Sequence, residues 1–92
     1  MSRRRSTRRP RRVPVTFWKR GEDHGTAGYT TNISNTGMFV GTGSPLPPGA
    51  RVRVEVLDRD NGFVIEGVVA HARRMQGDMN RIAQSGMGVR FL

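Results

Sequence analysis

Between residues 51 and 56 the chain reads Arg-Val-Arg-Val-Glu-Val. Charge and β-branched hydrocarbon alternate with a period of two, so one side of the segment is apolar and the other wet. A half-buried strand satisfies both sides at once. The same period governs much of the chain. Val13, Val15 and Phe17 alternate with Pro14, Thr16 and Trp18, which predicts a first strand with a proline near its start. After the turn-forming run Arg-Gly-Glu-Asp-His-Gly at 20–25, the residues Ala27, Tyr29, Thr31 and Ile33 are expected to make the inward face of a second strand. Met38-Phe39-Val40 predicts a short third strand, and the proline-rich run at 42–49 a loop. Asp60-Asn61-Gly62 is a hairpin signal linking Val52, Val54 and Val56 to a return strand from Phe63 to Arg74. The alternation there slips from Phe63 and Ile65 to Val68, Ala70 and Ala72, which predicts a bulge at Gly67. Residues 75–86 read as loop, and Met87, Val89 and Phe91 as a last strand.

Six strands are therefore expected, and no window of 11 residues has a helical apolar period. An open sheet of this size leaves a face or its edges bare, whereas a small closed antiparallel barrel has no edges. The 92 residues, 35% of them apolar, suffice for one such domain with a thin core. The absence of cysteine excludes disulfides, thiol chemistry and cysteine-based zinc sites. His24 and His71 lack paired-ligand spacing, so no metal is expected. No apolar run is long enough to span a membrane, and no apolar segment follows the basic N-terminus as in a secretory signal. A cytoplasmic protein without a membrane partner is expected. Catalysis is not. Ser34, His71 and Asp58 can be written as a triad, but no nucleophile elbow, P-loop or Rossmann glycine pattern accompanies them. His71, alone among small apolar strand residues, reads as a packed or edge residue.

The net charge of +9 is unevenly spread. Residues 1–20 hold nine cations and no acid, while residues 21–92 hold seven of each sign and balance. The chain is thus a neutral domain behind a basic arm, residues 1–12, that has no apolar side chain after Met1 and is expected to be mobile when free. Fifteen of the 16 cations are arginine, whose planar fork of donors suits phosphates and guanine edges better than a lysine point charge does. The partner is expected to be an anion recognised by geometry. A solvated tail that only aids solubility is the plain alternative.

Two segments stand out together. Arg8-Arg9-Pro10-Arg11-Arg12 gives Arg-x-x-x-Arg directly before the first strand, and Asn32-x-Ser34-x-x-Gly37 marks a tight corner between the second and third. In this order, each joined to a strand, they resemble the PilZ domain family, which binds the bacterial second messenger cyclic di-GMP. The resemblance covers residues 8–92 and includes Gly86-Met87-Gly88-Val89-Arg90-Phe91 as the closing strand. It implies a six-stranded antiparallel barrel. It also implies that Arg8 and Arg12 take the family's arginine positions, with Arg9 adding a contact, and that Asn32, Ser34 and Gly37 take the second motif. Asn32 stands where Asp is also used, which keeps an acceptor, adds a donor and loses a charge. Many family members continue into a C-terminal helix over the barrel; this chain stops at Leu92, so that cover is expected to be missing.

The chemistry agrees with the resemblance. A guanidinium forks onto a phosphate or onto guanine O6 and N7, and stacks on a base. Asn32 and Ser34, alternating at a strand end, are expected to share a side and supply short polar contacts. Gly37 is expected to hold a positive φ and to let ligand approach the main chain. An Asx-type turn closing the corner without ligand is the alternative for these three residues. The expectation is a non-enzymatic cyclic di-GMP receptor in which binding orders the arm and switches an effector protein. The rivals are a nucleic-acid-binding barrel with a basic arm and a PilZ adaptor that no longer binds nucleotide. The neutral body and the lack of an interleaved aromatic and basic platform disfavour nucleic acid.

Overall fold

The computed structural model describes residues 12–60, 62–73 and 85–92. The six expected strands are present as β1 (Val13–Lys19), β2 (Thr26–Ile33), β3 (Gly37–Gly41), β4 (Arg51–Val56), β5 (Phe63–Arg73) and β6 (Gly86–Phe91). All neighbours are antiparallel, and the order β1-β2-β3-β6-β5-β4 closes into a barrel, with no helix among the described residues. Two ladders join strands remote in sequence, β1 with β4 and β3 with β6. Closure satisfies the backbone groups that an open sheet would leave on its outer strands.

The interior is filled by the valines that set the period. Val15 and Phe17 of β1, Val40 of β3, Val52, Val54 and Val56 of β4, Val69 of β5, and Met87 and Val89 of β6 are all buried, with Met38 beside them. Burying each such side chain stabilises the fold by roughly 1.5–3 kcal/mol relative to exposure. The alternation read in β1 and β4 is the alternation observed.

In β2 the expected inward face is one residue out of phase. Val15 pairs with Gly28 and Val13 with Thr30, so Gly28 and Thr30 share the interior side. Thr30 is buried, whereas Ala27, Thr31 and Ile33 are exposed. The interior positions are small because their space is taken: a Cβ on Gly28 would stand 2.7 Å from the Gly41 carbonyl oxygen and 3.1 Å from Val40. A register shift between Tyr29 and Asn32 then brings Ile33 opposite the buried Met38 while leaving Ile33 itself exposed.

The bulge expected at Gly67 is also displaced. β5 pairs with β4 in unbroken register from Arg51↔Val68 to Val56↔Phe63, and the shift falls between Val69 and His71, against β6. Gly67 faces the interior without a side chain because Val89 fills its place, only 2.6 Å from where a Cβ would lie. Gly86 belongs to β6 rather than to the preceding loop. The arm up to residue 11, most of the 75–86 loop, and the predicted strand end at Arg74 lie outside the described residues, as does Asn61 of the hairpin turn.

Candidate functional site

The corner between β2 and β3 is built around Ser34. Its backbone N–H donates to the Gly37 carbonyl oxygen at 2.8 Å. Its hydroxyl donates to the same oxygen at 3.3 Å and accepts from the Thr36 N–H at 3.2 Å. This is a hydroxyl-closed turn, so Ser34 carries the structural role foreseen in the turn alternative. β2 ends at Ile33, so Asn32 and Ser34 do not alternate along one strand as expected. Asn32 remains in the strand, exposed and opposite Phe39. Gly37 does not have a positive φ; among the described residues only Gly21 and Gly49 do. Glycine is required there for space instead, since a Cβ would lie 2.5 Å from the Val89 carbonyl oxygen across the β3–β6 ladder.

Register assembles a surface around this corner. Asn32 stands opposite Phe39, Phe39 opposite Gly88, and Gly88 opposite His71, one row across β2, β3, β6 and β5. Two positions along the ladder, on the same face, Gly37 stands opposite Arg90. Together they line a groove of about 540 Å³ that also includes Ser34 and Thr36. Small-molecule sites occupy about 300–1,000 Å³, so a nucleotide-sized ligand fits this volume. Glycines in the wall let rings lie against the sheet. A Cβ on Gly88 would collide with the His71 imidazole, one on Gly86 with the Phe39 ring, and one on Gly41 with the Tyr29 ring.

Arg12 is not one of the groove's lining residues; it lies on the β1 side of β2. Val13 pairs with Thr30, so Arg12 enters beside the last residues of β2. Its exposed guanidinium lies 4.7 Å from the centroid of the Tyr29 ring, a cation–π contact. At an exposed site such a contact is worth about 0.5–1 kcal/mol, enough to bias the side chain toward β2 without locking it. Arg8 and Arg9 lie outside the described residues. The structure therefore brings Asn32, Ser34 and Gly37 together in one groove and sets Arg12 beside β2.

Sequence reasoning missed Phe39, His71 and Arg90 as groove residues and Tyr29 as the seat of Arg12. Each reaches its place through cross-strand register, which no local motif encodes. The available signal was Gly86-x-Gly88 in a strand, where two bare wall positions call for rings from neighbouring strands. A second groove, of about 490 Å³, lies beside the β1–β2 turn, where Arg53 stacks 4.9 Å over Trp18. Its four cations, Lys19, Arg20, Arg51 and Arg53, are interspersed with Glu22, Asp23 and Glu66, which leaves it little preference for an anion. No group of three or more metal-ligating side chains occurs among the described residues, and none of them forms a helix long and apolar enough to cross a membrane.

A closed six-stranded barrel with a ring-lined groove on its wall, largely apolar with a few polar side chains, is the architecture of a small binding domain. This chain belongs to the PilZ family: the model for the PilZ domain matches residues 2–92. PilZ domains are a cyclic di-GMP receptor family, made of binding and adaptor domains rather than known enzymes. No curated protein matches the chain significantly.

Proposed function

We propose that the protein is a non-catalytic cyclic di-GMP receptor whose ligand sits in the groove between the β2–β3 corner and β6. Arg12, with Arg8 and Arg9 from the arm, forks onto the phosphates and guanine edges, while Asn32 offers short polar contacts and Ser34 holds the corner. Engagement of the arm by the ligand changes the surface shown to an effector protein, in the cytoplasm of a bacterial cell. The observation that carries this reading is that Asn32, Ser34 and Gly37 line one groove of nucleotide size, while Arg12, the last residue of the arginine motif, lies against Tyr29 of β2.

The test is calorimetric titration of the full chain with cyclic di-GMP, GTP and a DNA oligonucleotide. Saturable binding of cyclic di-GMP, far tighter than that of GTP, is expected. A folded protein that shows no heat at high micromolar cyclic di-GMP refutes the reading in favour of an adaptor. Tight DNA binding with a steep salt dependence and no response to the dinucleotide favours nucleic acid.

A further inference from the structure

The arm arginines and the β2–β3 corner account for one side of the groove. The other side is built by His71 and Arg90, which belong to neither motif. Both are exposed, and both stand on fixed backbone. The His71 imidazole rests against Gly88, and Arg90 follows the buried Met87 and Val89 on β6. The row neighbours of Arg90 are Gly37 and Val68, so no carboxylate in its row occupies the guanidinium fork. Groups held on a closed barrel lose little backbone freedom when a ligand arrives.

Guanine presents two acceptors, O6 and N7, on one edge; adenine presents N7 beside an N6 donor. A guanidinium can make two parallel bonds to the first edge, whereas on the second it brings donor against donor. An imidazole offers a flat face on which a base stacks. We propose that Arg90 and His71 form the base-selecting half of the groove, Arg90 donating to the O6/N7 edge of a guanine and His71 stacking on it. The assignment rests on the cyclic di-GMP reading and deepens it: discrimination between bases belongs to the barrel wall, and attraction of the anion to the arm.

The test titrates the full chain and its Arg90→Ala, Arg90→Lys, His71→Ala and His71→Phe variants with cyclic di-GMP and cyclic di-AMP, with thermal unfolding recorded beside each. Arg90→Ala is expected to weaken cyclic di-GMP roughly ten- to a hundredfold while leaving the weaker cyclic di-AMP binding nearly unchanged. Arg90→Lys keeps the charge and the stem but not the fork, and shows the same collapse of discrimination in a protein of normal stability. His71→Ala costs about fivefold or more, and His71→Phe recovers most of that loss. Wild-type binding of cyclic di-GMP with unaltered affinity in the Arg90 variants, or with equal losses for both dinucleotides, overturns the assignment alone. A wild-type chain that binds neither dinucleotide overturns the functional reading and this assignment with it.

Discussion

Replacing Gly37 by Ala separates space from backbone conformation as the reason for a motif glycine. The added Cβ would stand 2.5 Å from the Val89 carbonyl oxygen, about 0.9 Å inside the 3.4 Å at which ordinary contact begins. The obstacle is backbone, so relief comes only by parting β3 from β6 where Gly37 pairs with Arg90. Overpacking of this kind costs about 1–3 kcal/mol, and a domain of this size loses roughly 4–8 °C of Tm per kcal/mol. A fall of roughly 5–20 °C is therefore expected. The same displacement moves the Gly37 carbonyl to which Ser34 donates, so cyclic di-GMP affinity falls with stability. Two other glycines calibrate the result. A methyl added to Gly43 would meet nothing within 4 Å, and its φ is not positive, so Gly43→Ala stays within about 0.5 kcal/mol of wild type. Gly49 has equally open space but a φ of +92°, so Gly49→Ala costs about 1–2 kcal/mol by conformation alone and leaves the groove intact. Circular-dichroism melts and calorimetric titration of the three variants read both quantities. A Gly37→Ala protein that melts with wild type refutes the close-approach argument.

Arg12→Ala should cost about 1.5–3 kcal/mol of binding, roughly ten- to a hundredfold in Kd, but only about 0.5–1 kcal/mol of stability through the lost Tyr29 contact; Arg3→Ala should cost little of either, and equal binding losses at Arg3 and Arg12 would mean the arm acts as undirected charge. Arg8→Lys combined with Arg12→Lys keeps the net charge at +9, so weak DNA binding and its salt slope should persist while most cyclic di-GMP affinity disappears. Full retention of cyclic di-GMP affinity in that double variant would remove the arginine pair from the recognition site.

What could be read from the sequence follows the size of the interior side chains. β1 and β4 announce themselves because every buried position is Val or Phe. β2 misleads because its interior positions, Gly28 and Thr30, look like surface residues, while Tyr29 looks like core and lies outside against Gly41. In β5 the glycine at 67 imitates a bulge, although it is an interior position yielded to Val89, and the true shift follows at Val69/His71. The site divides in the same way. The corner residues were legible because turn and motif are local, whereas Phe39, His71 and Arg90 depend on which strands become neighbours. Only closure of β3 onto β6 decides that.

That closure also sets the order in which the protein can acquire its structure. β1–β2–β3 and β4–β5 can form hairpins as they emerge, and β4 must still join β1 across the intervening chain, but the outer edges of β3 and β5 both await β6, which follows all of them. Pairings this far apart in sequence place folding in the slow class of small domains, milliseconds to seconds. Until β6 arrives, two unpaired edges stand open to other chains, and newly made protein passes through its most aggregation-prone interval. The six residues that end this interval, Gly86–Phe91, also lay Gly88 under His71 and present Arg90. The β2–β3 corner can exist before that event, but the side of the groove formed by His71 and Arg90 is completed together with the barrel.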